Sequence, residues 1–379
     1  MTVLLSLFML LIMHNYIVYP IMVMLLAKFK PLPHTSNSNY RPSVSILIAA
    51  YNEENVIRRK LENTLALNYP PSSLQIIVVA DGSTDRTPQI VEEFSHQGVM
   101  SLHIAERGGK SAAINRAVQH ASGEILVLSD ANNDYSKDAI AHLVSHFSDS
   151  SVGGVTGSKR IYTNLDRESA KGDGLYWQYE SAIKMAESKI GSITAAEGEI
   201  FAVRKTVFKP IPRGVINDDA AITFNIIKSG YRVLYDKQAE AYEQASISLV
   251  DDFYVKVRMA TGGYQTLMLE LGYLFSRPTW FAFSFVSHKV LRWLSPHFLI
   301  FVFILTIALA SSLLMKAFLA LQIAFYVVAM YGWLNRNTRD MPSLIYIPMY
   351  FCSMNLAMFI GFIRFIFKSQ SVNWRKAAR

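Results

Sequence analysis

Three short acidic segments are where this chain could do chemistry: Val79-Ala80-Asp81-Gly82-Ser83-Thr84-Asp85, Asp130-Ala131-Asn132 and Asn217-Asp218-Asp219. Carboxylates at strand ends can orient a nucleotide, hold a divalent cation and take a proton from a hydroxyl. The first two segments each follow an apolar run, residues 76–80 and 125–129. Asp81 and Asp130 are therefore expected at the carboxyl ends of buried strands, where open α/β sheets bind their ligands. Asp85, or Thr84 beside it, reads as the cap of the helix that follows. Asp130 and Asn132 are oxygen donors two residues apart and can face one hard cation, which in turn neutralises a diphosphate. The pair Asp218-Asp219 opens a helical pattern over residues 220–228. One of its carboxylates suits a cap, and the other can deprotonate an attacking hydroxyl.

Cations lie in two places. Arg107-Gly108-Gly109-Lys110-Ser111 precedes a helical pattern, so glycine N–H groups can approach an anion while Lys110 adds a point charge. The Gly-x-x-x-x-Gly-Lys spacing of a P-loop is absent. Lys256-Val257-Arg258, followed by Gly262-Gly263, offers charge to a leaving diphosphate and equally suits a basic helix on a membrane surface.

The elements that must hold these residues alternate. Residues 44–49, 75–80, 102–104 and 124–129 read as strands, and residues 54–67, 87–96 and 111–120 as helices. That alternation predicts an α/β fold with βαβ units and a mainly parallel sheet. Tyr51, Asp81 and Asp130 then share its carboxyl edge.

The ends of the chain are apolar. Of 379 residues 51% are hydrophobic and only 17% charged, with a net charge of +8. Residues 3–27 are long enough to cross a bilayer of about 30 Å and read as a retained span rather than a cleaved leader. Lys28 and Lys30 follow, so the positive-inside rule puts the next domain in the cytoplasm. Residues 31–42, rich in Pro, Ser and Asn, read as a linker. Three further spans are expected near residues 298–314, 317–334 and 344–367, and residues 280–294, with His288, Lys289 and Arg292, suit a helix lying in the interface. One span before the domain and three after it send the basic tail to the far side, against the same rule. Much of the positive charge flanks these segments, which favours anionic lipid, and no nucleic-acid motif competes for it. The single cysteine, Cys352, excludes an intrachain disulfide and a multi-cysteine zinc site.

With these pieces in order, residues 43–263 resemble the family 2 glycosyltransferases of GT-A (Rossmann-like) fold, especially membrane-embedded hyaluronan, chitin-oligosaccharide and cellulose synthases. Ala49-Ala50-Tyr51-Asn52-Glu53 resembles the family's Pro-x-Tyr-Asn-Glu segment, with Ala49 in the proline's place. The resemblance implies donor contacts at Ala49, Tyr51, Glu53, Asp81, Lys110, Asp130 and Arg258. Asp130-Ala131-Asn132 stands at the Asp-x-Asp position, so Asp130 and Asn132 would hold Mg²⁺ or Mn²⁺ with one carboxylate fewer. Gly198 in Glu197-Gly198-Glu199, together with Asp218, falls on the acceptor side. Asn217-Asp218-Asp219 is similar to Thr-Glu-Asp, which puts the base at Asp219. Around Arg258, Val255 and Met259 replace the glutamine and tryptophan of Gln-x-x-Arg-Trp, a motif that accompanies processive synthesis.

The resulting expectation is a GT-A domain over residues 43–250, flanked by a helical anchor at 1–30 with its linker at 31–42, interfacial helices at 251–296, membrane helices at 297–370 and a basic tail at 371–379. Its chemistry would be inverting transfer from a nucleotide sugar, a UDP-sugar, to a glycan or lipid-linked acceptor at the cytoplasmic face of the plasma or inner membrane. A single-sugar transferase acting on a lipid carrier and a silent nucleotide-sugar-binding membrane protein are the alternatives.

Overall fold

The computed structural model describes residues 1–161, 168–244, 249–276, 279–336, 338 and 341–370. The basic tail expected at 371–379 lies outside them. The chain divides into two compact units, one of Leu26–Tyr162 with Glu180–Gln244, the other of Met1–Leu25, Thr163–Tyr179 and Ala245–Arg379.

The first unit is built on an eight-stranded sheet of β1 (Val44–Ala50), β2 (Leu74–Asp81), β3 (Val99–Ile104), β4 (Ile125–Asp130), β5 (Asn133–Tyr135), β6 (Val152–Ile161), β7 (Ile200–Arg204) and β8 (Arg232–Glu243), in the order β3-β2-β1-β4-β7-β6-β8-β5. Strand β1 shows why its sequence is an almost unbroken apolar run: it is central and covered on both faces. Successive side chains alternate between two cores. Ile46, Ile48, Ile76, Val78 and Val127 pack on one face with Ile57 and Leu61 of the helix Ile57–Leu65. Leu47, Ile77, Val79, Leu126 and Leu128 pack on the other with Ala113, Ile114 and Ala117 of the helix Lys110–His120.

Strands β1 to β4 pair in parallel, as the βαβ spacing requires. Beyond β4 the sheet is mixed: β7 runs antiparallel to β4 and β6, β5 antiparallel to β8, and β6 parallel to β8. The sheet is mainly parallel, as expected, with β5 and β7 the two strands that run against the rest. Strand direction is set by the connections, and past Asp130 these no longer have the length of a simple crossover: β5 begins three residues after Asp130.

The order reverses between β1 and β4, since β1 continues to β2 on one side while β4 lies on the other. Such a switch point opens a crevice at the strand ends. The register sets Ala49 beside Val79 on one flank and Asp130 on the other, with Asp81 two residues past Val79.

The helix Thr2–Phe29, which belongs to the second unit up to Leu25, and the second unit's Trp280–Ala308, Leu313–Leu334 and Ser343–Ile366 are long and apolar enough to cross a membrane. The stretch 280–294, expected as a separate interfacial helix, runs on instead through a π-helical turn at Val286–Val290 into Leu291–Ala308. Two of the basic residues behind that expectation are turned inward. His288 is fully buried, and the nearly buried Arg292 guanidinium lies 5.9 Å from the Tyr16 ring and 5.7 Å from that of Tyr179. Cationic groups absorbed among neighbouring helices leave the outer surface apolar, so the helix has no reason to break. Gly361 admits the helix Leu249–Ser276 closely: a Cβ there would fall 2.7 Å from that of Ala260.

Candidate active site

Asp81 ends β2 and is 3% exposed. Its carboxylate accepts the N–H of Gly108 at 3.0 Å and of Gly109 at 2.6 Å, with Arg116 Nη1 at 3.7 Å. The glycine N–H groups that the sequence offered to an external anion are thus engaged by Asp81, which locks the start of the helix Lys110–His120 to the end of β2. Gly82 permits this, since its φ of +69° suits glycine and a Cβ would lie 2.6 Å from that of Arg107.

Tyr51 and Asn52 follow β1. Asn52 accepts the Thr84 N–H at 2.8 Å, the Glu53 N–H donates to Thr87 Oγ1 at 2.8 Å, and the Glu54 N–H donates to Asp85 at 3.1 Å. Asp85 also accepts the Thr87 N–H at 2.9 Å and so ties down the start of the helix Thr87–Glu92, whose N-cap is Arg86 and not Thr84 or Asp85 as the sequence suggested. The Tyr51 ring carries the Arg107 guanidinium 3.6 Å from its centroid. Arg107 Nε is buried without a hydrogen-bond partner among the described residues.

Lys110 gathers the remaining acids. Its Nζ is 2.7 Å from Asp130 Oδ1 and 3.6 Å from Asp218 Oδ2. Asp218 and Asp219 form the first turn of the helix Asp218–Lys228, whose N-cap is Asn217. Gly198 completes the cluster: a Cβ there would be 3.5 Å from both Lys110 Nζ and the Asp219 Cβ. Burial works against the Lys110 charge, but Asp130, Asp218 and Asp219 outweigh it and hold its pKa well above the usual lysine range. Asp219 goes the other way from an ordinary aspartate. Burial and the adjacent Asp218 push its pKa up to about 7, against the Ala220 N–H and Lys110. Its Oδ1 accepts that N–H at 2.7 Å.

Asn132 donates from Nδ2 to Glu243 Oε1 at 2.9 Å. Glu243 is in turn ion-paired with Lys159, which also reaches Glu199 at 3.1 Å. Spending its N–H groups on Glu243 leaves the Asn132 amide oxygen as the atom to face a cation. Asp130, with its side chain about a third exposed, and that oxygen fit a hard divalent ion. Among the described residues no group of three or more His, Cys, Asp or Glu forms a cage, so such an ion would complete its shell with diphosphate oxygens and water.

Six residues singled out in the sequence, Asp81, Lys110, Asp130, Gly198, Asp218 and Asp219, thus come from five separate stretches into one region of the first unit, or lie one hydrogen bond from it. Ala49 lies in β1 beside Asp130, and Tyr51 and Glu53 in the loop that follows. Arg258 belongs to the second unit, on the helix Leu249–Ser276. Lys159 and Glu243 escaped the sequence reading, while Arg107 and Glu199 enter it only as neighbours of Gly108 and Gly198, with no role of their own.

Residues 45–211 match the family described as Glycosyl transferase family 2. The chain is similar to the poly-beta-1,6-N-acetyl-D-glucosamine synthase of Staphylococcus aureus (strain MSSA476), with 26% identity over 235 residues, 60% of this chain and 56% of that protein. It matches the synthase of the same name from Staphylococcus epidermidis at 27% identity over the same shares. The chain spans about half the length of these curated relatives. Among solved structures, the mannosyltransferase PcManGT from Pyrobaculum calidifontis superposes with a TM-score of 0.75 at 23% identity, covering 97% of this chain and 100% of that one. Over residues 45–211 the chain is therefore similar to glycosyl transferase family 2, on a GT-A-type sheet whose fold it shares with that mannosyltransferase.

Proposed function

We propose that the protein is an inverting glycosyltransferase that moves a sugar from a nucleoside-diphosphate sugar, a UDP-sugar, onto a growing glycan at the cytoplasmic face of a membrane. The observation that carries this reading is the meeting of Lys110, Asp130, Asp218 and Asp219, with Asp219 titrating near neutrality. Asp81 and the Tyr51–Arg107 pair lie on the side suited to the nucleoside, and the Arg107 N–H without a partner suits a phosphate oxygen. Mg²⁺ or Mn²⁺ held by Asp130 and the Asn132 oxygen would supply charge neutralisation on the diphosphate. Lys110 holds Asp130 in place and adds a fixed positive charge on the leaving-group side.

Asp219 takes the proton of the acceptor hydroxyl as that oxygen bonds to the anomeric carbon. The bond from that carbon to the diphosphate breaks, and the nucleoside diphosphate leaves with the electron pair. No protein nucleophile is needed for a single inversion. A base with a pKa of about 7 is matched to this task at neutral pH. Four apolar helices among the described residues, the basic Lys28 and Lys30 at the end of the first of them, and the synthase relatives support the membrane site and the glycan product.

The test is release of nucleoside diphosphate from a panel of UDP- and GDP-sugars, using the full chain in native lipids with Mn²⁺, for wild type and Asp219→Asn. GDP-mannose belongs in the panel because PcManGT, which shares the fold, is in complex with GDP-Man and Mn²⁺. Turnover with a UDP-sugar that the substitution abolishes, yielding a β-linked polymer, is the expected result. Turnover with GDP-sugars alone would overturn the donor assignment, and none with any donor would overturn the enzyme.

A further inference from the structure

Directly beneath the Asp130–Asn132 turn lies a lysine that the proposed reaction does not use. Lys60, on the helix Ile57–Leu65, is 1% exposed, and its Nζ donates to Asn133 Oδ1 at 2.7 Å while lying 3.9 Å from the centroid of the Tyr135 ring. An ammonium taken out of water is costly unless its surroundings compensate. Here they do so through one residue of the turn and an aromatic face. Burial dominates, pushing the Lys60 pKa down to about 7, while Asp134 and Asp130 act to raise it and Arg59 to lower it. Arg59 is itself paired with Asp134 at 3.2 Å.

The contacts of Asn133 show what the lysine holds. Ser129 Oγ lies 3.4 Å from Asn133 Oδ1 and 3.2 Å from the carbonyl of Asp130, so the same cluster grips the turn at both ends. Asn133 Nδ2 donates to the carbonyl of Glu199 at 3.2 Å, and Tyr135 OH donates to that carbonyl at 2.9 Å. Glu199 adjoins Gly198, the glycine beside Lys110 and Asp219. Lys60, Ser129, Asn133 and Tyr135 are all buried, so water cannot substitute for a lost partner. The chain Lys60–Asn133–Glu199 thus ties the turn that carries Asp130 to the segment that carries Gly198.

We propose that Lys60 is a positioning residue, whose buried ammonium fixes the Asp130–Asn132 turn against the Glu197–Glu199 segment so that both oxygen donors face one divalent cation. It rests on the reading of Asp130 and Asn132 as the donor-side cation site. The sign of the effect separates positioning from bystander charge. A nearby positive charge repels a cation, so deleting a bystander lysine would tighten cation binding. Deleting a positioning residue loosens it, and outer-shell partners of metal ligands are worth about tenfold or more in affinity.

The experiment is titration of Mn²⁺ into the full-length protein in detergent with UDP present, followed by the loss of the free-ion electron paramagnetic resonance signal. UDP binding is measured separately in chelator. Lys60→Met is expected to weaken Mn²⁺ binding by about tenfold while metal-free UDP affinity stays within about twofold. Lys60→Gln, which keeps an N–H donor for Asn133 without the charge, is expected to fold and to fall between the two; it serves alone if the methionine variant does not fold. Unchanged or tighter Mn²⁺ binding in the folded variants overturns the proposal. So does a parallel loss of metal-free UDP binding, which marks general damage to the domain. A wild type that binds UDP but takes up no Mn²⁺ in its presence, or binds neither, refutes the cation-site reading itself and is recognised before any variant is made.

Discussion

Replacing Asp219 by Asn should silence transfer and yet make the protein more stable above neutral pH. Asn keeps the oxygen that accepts the Ala220 N–H at 2.7 Å, so the start of its helix is undisturbed. What it removes is a carboxylate that burial and Asp218 disfavour. An acid whose pKa is raised by folding binds its proton more tightly folded than unfolded. Stability therefore falls as pH climbs from about 4 towards 7, and the loss is complete above that. A rise from 3.8 to about 7 limits the penalty to roughly 4 kcal/mol. Because the residue is only partly buried, about 1–2 kcal/mol is the expected recovery. On a domain of this size that is a rise in melting temperature of about 2–8 °C. The assay is thermal melting of both proteins in the same detergent from pH 4 to pH 8, beside donor turnover. The gain should be full at pH 8 and shrink towards zero near pH 4. Equal melting at pH 8, or turnover within about tenfold of wild type, would refute the assignment of Asp219 as a strained base.

Wild-type kcat/KM should rise with pH through about 7 as Asp219 ionises, and a rate profile flat from pH 6 to 8 would count against it. Lys110→Met should cost about 100-fold or more in turnover and move that profile to higher pH, because Lys110 is one of the groups holding the Asp219 pKa down. Gly82→Ala should destabilise by about 2 kcal/mol or more, as a side chain at φ +69° meets the backbone of Arg107; thermal melting checks it. Arg107→Ala loses the contact 3.6 Å over Tyr51, worth about 1 kcal/mol, and should raise the donor KM about fivefold with kcat nearly unchanged; steady-state kinetics decide.

Where the chain's local chemistry dictates structure, the sequence is a good guide. The parallel strands, the carboxylates at their ends and the resemblance to family 2 follow from apolar runs that stop at Asp81 and Asp130, because a strand buried on both faces must be apolar until it reaches its edge. The reversed strands were not legible in this way, since β7 carries the same kind of apolar residues whichever direction it runs. The interfacial helix failed for a related reason. His288 and Arg292 look like surface residues in a one-dimensional window, and only packing shows them turned inward. Lys159, Glu199 and Glu243 meet Asn132 from strands and loops distant in sequence, and no spacing rule joins them. Lys60 is the extreme case: it follows Arg58 and Arg59 and by type is as polar as they are, yet it is the one that is buried.

The electrostatics of the cluster also say why a single carboxylate in the Asp-x-Asp position can suffice. Lys110 lies within reach of Asp130 and Asp218 and close enough to Asp219 to influence it, so the end of β4 and the start of the helix Asp218–Lys228 share one fixed cation. Its charge does not titrate in the working range, whereas Asp219 changes charge near neutrality. A second carboxylate in place of Asn132 would add repulsion to a group that already holds Glu199 and Glu243 around Lys159, and would face Glu243 directly instead of donating to it. The amide resolves that conflict, because it satisfies Glu243 with its nitrogen and keeps its oxygen for a cation. Asn132→Asp is therefore expected to weaken Mn²⁺ binding, although it restores the family's acid. Tighter binding in that variant, measured by the same titration, would show that the number of carboxylates, and not the orientation set by Glu243, governs the site.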